Sequence, residues 1–140
     1  SEQDEYYRSI KFEETNKILS TDSDAITLAA KQVAKILDAA VIVTFTATGS
    51  TTLRAARERP EVPILGLTPN IKTARRMVLV WGVHPVETSY FDKFDNVVDS
   101  AIEVSEKEGF VVKGQQLIVT AGVPFGTPGT TNILRIVKVE

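Results

Sequence analysis

Ala40-Val41-Ile42-Val43-Thr44-Phe45 is followed by Thr46-Ala47-Thr48-Gly49-Ser50-Thr51-Thr52 and then by Leu53-Arg54-Ala55-Ala56-Arg57-Glu58-Arg59. The fold class follows from these twenty residues. A short run that is apolar and β-branched at nearly every position suits a strand buried on both faces, as in a parallel sheet. Small hydroxyl-bearing residues around a glycine make a loop. The segment over 53–59 reads as a helix that Pro60 ends. Strand, loop and helix form one α/β unit.

Toward the C-terminus the unit repeats. Pro63-Ile64-Leu65-Gly66-Leu67 reads as a second strand, and Thr68-Pro69-Asn70 leads into a helix over 71–80. A shorter strand covers 83–87, where Pro85 lacks the N–H that a ladder uses. Asp92 and Asp95 stand where a helix over 94–108 opens. Phe94, Val97, Val98, Ala101 and Ile102 share one face of that helix, and Gly109 occupies its C′ position. A fourth strand follows over 116–121. The Gly/Pro-rich loop 122–129 leaves no room for a helical crossover, so the last strand, over 131–139, pairs antiparallel. Both faces of that strand are largely apolar. Either it is interior, or it pairs across an oligomer interface.

Toward the N-terminus, Ile26, Ala29, Ala30, Val33, Ile36 and Leu37 recur at helical spacing over 23–37, with Lys31, Lys35 and Asp38 opposite. Thr21, Asp22, Ser23 and Asp24 supply candidate N-caps. Residues 1–14 carry five acids and two bases, with Tyr6, Tyr7, Ile10 and Phe12 interleaved. They read as a helix or extended arm jointed to another domain, or as a frayed terminus. The expected organisation is an arm over 1–20 and an α/β domain over 21–140. The domain is expected to be a three-layer αβα sandwich around a five-stranded, mostly parallel mixed sheet whose last strand runs antiparallel.

Composition excludes much chemistry. The 140 residues are 43% hydrophobic and 24% charged, ordinary for one soluble globular domain. A net charge of −2 gives no global pull toward nucleic acid or an acidic membrane. Without cysteine there is no disulfide, thiolate nucleophile or Cys-based metal site, and the single His84 removes every His-pair metal motif. No apolar run approaches a membrane span, and the acidic N-terminus lacks the basic, then apolar, pattern of a signal peptide. A cytoplasmic domain without metal is the resulting expectation. Walker A, Gly-x-Gly-x-x-Gly and Gly-x-Ser-x-Gly patterns are absent. His84, before Pro85, reads as a packed or surface histidine, Trp81 and the stripe 77–80 as core, and Glu13-Glu14 and Glu106/Glu108 as solvated faces. No catalytic residue is assigned.

In a parallel α/β sheet, ligands bind at the carboxyl ends of strands, where loops meet helix N-termini. The loop over 46–52 holds that position with Thr46, Thr48, Ser50, Thr51 and Thr52 around Gly49. Hydroxyl donors, unpaired helix amides and a glycine permitting close approach describe a phosphate cradle. No charged residue occurs over 39–53 or over 114–134, so no carboxylate of those segments repels an anion. Arg54, just inside the helix, is placed to reach back toward a phosphate. The competing interpretation is an N-capped loop rich in Ser/Thr for local turn bonding.

Several segments resemble the C-terminal domain of pyruvate kinase, the bacterial form more closely. They are 41–60, 63–70 and Thr73-Ala74-Arg75-Arg76, then Gly82-Val83-His84-Pro85, Glu108-Gly109-Phe110 and Lys113-Gly114, and finally 120–126 and Gly129-Thr130-Thr131-Asn132. The resemblance runs from about Asp4 onward in order and spacing. It implies a regulatory domain that lacks the (β/α)8 barrel where phosphoryl transfer takes place and where Mg²⁺ and K⁺ are held, so no cofactor is expected in this chain. It implies a phosphorylated sugar or nucleotide effector whose phosphate sits on Thr46, Thr48, Gly49, Ser50 and Thr51, with Ala47 supplying backbone. Gly126, Thr127, Gly129 and Thr130 belong to the loop that closes over the sugar. Partners implied are the missing barrel of the parent chain and further copies in a tetramer built through the last strand. Members that bind fructose 1,6-bisphosphate often carry a lysine at the position of Ala47 and a basic residue near Val97, and Tyr90 falls near an aromatic position of the second phosphate site. Losing both charges points to a monophosphate. The alternatives are a structural, oligomerising module without ligand, a stand-alone phosphate-ligand-binding protein, and a small enzyme using Ser50 or His84.

Overall fold

The computed structural model of the chain describes residues 22–123, 125 and 130–140. The expected arm over 1–20 lies outside them. Nine elements follow in order: α1 (Asp22–Ile36), β1 (Val41–Phe45), α2 (Ser50–Arg57), β2 (Ile64–Thr68), α3 (Ile71–Met77), β3 (Val83–Glu87), α4 (Phe94–Lys107), β4 (Gln116–Ala121) and β5 (Ile133–Lys138). The strands form one sheet in the order β3-β2-β1-β4-β5. β1 pairs parallel with both β2 and β4, β2 pairs parallel with β3, and only β4–β5 is antiparallel. The expected architecture is present, with the connection between β4 and β5 too short for a crossover helix.

Strand periodicity distributes the core between two layers. Val41, Val43, Phe45, Leu65, Leu67 and Leu117 face α4, where they meet Val97, Val98 and Ala101. The alternate positions Ile42, Ile64 and Ile118 meet Ala30 and Ala34 of α1 and Ala55 of α2. All five positions of β1 and of β2 are buried, the reason their sequences are continuous rather than alternating. Gly66 sits where a Cβ would come within 3.2 Å of Thr52 and 3.4 Å of Met77, so its missing side chain lets α2 and α3 close onto the sheet.

Several local expectations need correction. α2 begins at Ser50, not Leu53, because Gly49 adopts φ +96° and serves as its N-cap. α3 ends at Met77, and the chain turns through bonds from Leu79 and Val80 back to Arg76 and Met77. Val78, Leu79 and Trp81 therefore leave the core, with Trp81 84% exposed; only Met77 of that stripe is buried. The buried face of α1 is Ser23, Thr27, Ala30 and Ala34, while Ile36 is 77% exposed. Small residues let α1 lie close on β1 and β4, with Val33 half-buried against that layer and Ile36 turned outward. The N-cap of α4 is Lys93, without a side-chain bond, and neither Asp92 nor Asp95 caps it. Asp95 instead meets Arg135 of β5 at 3.4 Å. β5 is an edge strand, not interior, and its Ile136 is 47% exposed. β3 holds the opposite edge, which accommodates Pro85.

At the end of β4, a Cβ on Gly122 would run into the backbone carbonyl of Thr130, so the two limbs of the loop between β4 and β5 touch there. Gly122→Ala is expected to lower stability by about 2 kcal/mol or more, since backbone has to move. Urea unfolding of both proteins reads this as a reduced midpoint at unchanged slope.

Candidate functional site at the carboxyl end of the sheet

The site follows from how β1 ends. Thr46 N–H still donates to Leu67 O, continuing the ladder by one residue. The Thr46 hydroxyl then accepts from Gly49 N–H at 2.8 Å, folding the loop back on itself. Gly49 takes a left-handed conformation that a side chain would strain, and its carbonyl receives the first bond of α2, from Leu53 N–H. The amides of Ser50, Thr51 and Thr52 precede that bond, so they have no carbonyl acceptor one turn back in the helix.

The hydroxyls around this turn divide into two sets. Three are internal: Thr46 is bonded to Gly49 N–H, Thr51 pairs with Thr131 at 2.8 Å, and Thr52 pairs with Thr44 at 2.6 Å, all buried. Thr48 and Ser50 remain toward solvent, with Thr48 Oγ1 donating to Ser50 Oγ at 3.3 Å. The competing reading, local turn bonding, thus accounts for Thr46, Thr51 and Thr52 and leaves the hydroxyls of Thr48 and Ser50. Ala47 contributes its carbonyl, which accepts from Thr73 Oγ1 at 2.9 Å.

Charge at the turn differs from expectation. Arg54 does not reach back; its Nε lies 3.6 Å from Asp24 of α1, which also meets Arg57 at 3.5 Å. The cation beside the loop is Arg76 of α3, whose Nη2 donates to Thr73 Oγ1 at 3.1 Å and approaches Thr48 O at 3.5 Å. Sequence reasoning passed over it because it lies 28 residues beyond Thr48. The available signal was topological: β2 neighbours β1, so the helix after β2 starts beside the loop after β1.

The loop between β4 and β5 is tied to the same turn. Thr131 N–H donates to Ser23 Oγ at 2.9 Å, beside the Thr51–Thr131 pair. Asn132 accepts from Val123 N–H and donates to Val123 O through its side-chain amide. Thr130 is half-buried at the base. Gly126, Thr127 and Gly129 lie outside the described residues. Val97 is fully buried against the sheet and Tyr90 is 80% exposed. His84 is exposed, 3.3 Å from Glu108 and against the ring of Phe110. Ser50 is held by Thr48 rather than by a base, so nothing among the described residues arms a nucleophile. No group of three or more His, Cys, Asp or Glu among the described residues is arranged to hold a metal ion. No helix there is long and apolar enough to cross a membrane.

A three-layer α/β domain with an amide- and hydroxyl-lined turn at a helix start is the class this geometry defines. The profile of the family described as pyruvate kinase, alpha/beta domain, matches residues 24–137. A pyruvate kinase of Methylorubrum extorquens is 42% identical over 135 residues, covering 96% of this chain and 28% of that protein. One from Agrobacterium vitis is 39% identical over 138 residues, covering 99% and 29%. One from Geobacillus stearothermophilus is 36% identical over 130 residues, covering 93% and 22%. The chain belongs to the pyruvate kinase alpha/beta domain family, and it spans less than a third of the length of these relatives.

The buried pair under the site gives a prediction. Thr51→Val leaves the Thr131 hydroxyl without its partner and is expected to destabilise by about 1–2 kcal/mol. Thr51→Val with Thr131→Val recovers most of the loss, because no polar group is then stranded. A double-mutant cycle in urea tests this by its coupling energy.

Proposed function

We propose that this chain is the regulatory domain of a pyruvate kinase and binds the phosphate of a small phosphorylated effector at Thr46, Ala47, Thr48, Gly49, Ser50 and Thr51. The observation carrying this reading is an uncharged turn on which the exposed Thr48 and half-buried Ser50 hydroxyls stand at the start of α2, whose first amides have no helical acceptor. An anion there gains from unpaired donors and from the dipole of α2. Thr46 and Thr51 serve by shaping the turn, Ala47 and Gly49 by backbone. By the family resemblance, Gly126, Thr127, Gly129 and Thr130 would meet the remainder of the effector, and Asn132 and Thr131 fix the described ends of that loop.

The effector is a monophosphate. Phe45, the residue before the turn, packs against Phe91 with centroids 5.5 Å apart. Phe91 lines a cavity of about 520 Å³ together with Glu87, Asp99 and Glu103, and no lysine or arginine lines it. A second phosphate directed there meets three carboxylates. A sugar or nucleoside portion, rich in hydroxyl donors, is better matched.

In the parent enzyme, phosphoryl transfer from phosphoenolpyruvate to ADP takes place in the barrel that this chain lacks, with Mg²⁺ and K⁺ held there, in the cytoplasm. The open edge of β5, with Ile136 exposed, favours a further role in pairing with a second copy, as in a tetramer. A structural module without ligand makes the opposite forecast for the test below.

Thermal unfolding of the full chain is followed with inorganic phosphate, glucose 6-phosphate, ribose 5-phosphate, AMP and fructose 1,6-bisphosphate. A monophosphate at ~100 times its dissociation constant is expected to add about 2.7 kcal/mol. The gain disappears in Thr48→Ala/Ser50→Ala while the ligand-free transition stays within a few degrees. A flat panel in the parent protein rejects effector binding, and a bisphosphate that outcompetes every monophosphate rejects the ligand class.

A further inference from the structure

We infer that Arg76 is the cation of the effector site: a phosphate-contacting and selectivity residue, donated by the neighbouring α/β unit, that supplies the charge absent from the 46–52 loop. The inference rests on the phosphate-binding reading above and extends it to a residue outside the loop.

The loop is uncharged from residue 39 to residue 53, and Arg54 just beyond it is turned away to Asp24. An anion at the turn would therefore find dipoles and hydroxyls but no formal charge from its own segment. α3 supplies one. Its last turn carries Arg75 and Arg76, and Arg76 bends over the loop while the helix itself is fastened to the loop through Thr73. Thr73 Oγ1 donates to Ala47 O at 2.9 Å, and its methyl lies 3.5 Å from the position a Cβ would take on Gly49. The same Thr73 hydroxyl accepts from Arg76 Nη2 at 3.1 Å. The guanidinium is thus held against the loop by the contact that fixes the loop's own shape.

Its present acceptors are weak ones. Nη2 makes both contacts, and the one to Thr48 O is 3.5 Å long, at the outer limit of a hydrogen bond. Nε and Nη1 have no partner among the described residues, and no carboxylate is paired with Arg76 there. A guanidinium close to a carbonyl and a hydroxyl, with donors to spare, gains by exchanging the long bond for a short, charge-assisted one to a phosphate oxygen. Thr48 is the shared point: its carbonyl faces Arg76, and its hydroxyl faces Ser50. The phosphate would accordingly be held from two helices, by the α2 amides and by the α3 guanidinium. Such a site selects a dianionic phosphomonoester over its unphosphorylated alcohol and over a carboxylate of single charge.

Binding of ribose 5-phosphate and of inorganic phosphate to the full chain is measured by titration calorimetry for the parent protein, Arg76→Gln, Arg75→Gln and Thr48→Ala/Ser50→Ala. Arg75 is the charge-matched control, exposed on the same turn of α3. Arg76→Gln is expected to bind about tenfold more weakly. It should also lose less affinity than the parent when salt rises from about 0.05 to about 0.5 M, because one screened charge is gone. Arg75→Gln is expected to match the parent in both respects. Equal affinity in Arg76→Gln and Arg75→Gln overturns the inference and leaves the phosphate site standing. A weaker Arg76→Gln with the parent's salt dependence also overturns it, since that marks a loop clamp without contact to the anion. If the parent binds neither probe, the phosphate-binding reading fails and this inference with it.

Discussion

A strand buried on both faces has to satisfy its polar atoms within the protein, and β1 contains one such side chain, Thr44. Its hydroxyl is fully buried and pairs with Thr52 of α2 at 2.6 Å. That bond can form only in one register of the helix on the sheet, because Thr52 is the third residue of α2. With Thr52 fixed, the first turn of α2 sits at the carboxyl end of β1, and the amides that open the helix have no helical carbonyl to bond there. Breaking the pair would leave two hydroxyls stranded in an apolar layer, a cost comparable to that of a lost core contact. The polar bond inside the core and the ligand-accepting end of the helix are consequences of one constraint.

The same logic divides the Ser/Thr run. Thr46, Thr51 and Thr52 each bond to a partner that anchors the turn to the sheet, to β5's approach or to itself. Thr48 and Ser50 hold only each other. On the proposed phosphate-binding role, these two are the side chains left to meet an anion, beside a left-handed glycine at the start of α2. Internal bonds rigidify the turn, and a rigid set of donors loses little conformational freedom when an anion arrives. The internal residues thus contribute to binding through order rather than through contact.

The alternating blocks of the sequence made the architecture legible, because a continuous aliphatic run such as 40–45 has few uses other than a doubly covered strand. The site loop was legible for the same reason: where a parallel strand ends is where ligands collect. What the sequence concealed was direction. Ile36, Leu79 and Trp81 are apolar, and hydropathy places them inside, yet the small face of α1 and the early end of α3 turn them out. Periodicity reports which residues share a face but not which of two apolar faces the sheet takes. Pairings across long separations, such as Thr51 with Thr131, are equally invisible, since both partners look like ordinary turn residues. The resemblance to pyruvate kinase supplied positions for phosphate contacts that local patterning alone left open between binding and turn bonding.

Electrostatics in this domain is arranged between units rather than within them. Asp24 of α1 holds Arg54 and Arg57 of α2, and Arg135 of β5 meets Asp95 of α4. Each pair is at least partly exposed and contributes modestly to stability. Their effect is on position: Asp24 meets Arg54 and Arg57 of α2, while Arg76 of α3 lies over the loop at Thr48. A cation on α2 itself would move with the helix and stand behind the amides. One on α3 stands across the loop from them. A phosphate held as proposed between α2 and α3 would be sensitive to their separation, and small relative motions of the two α/β units would change its affinity.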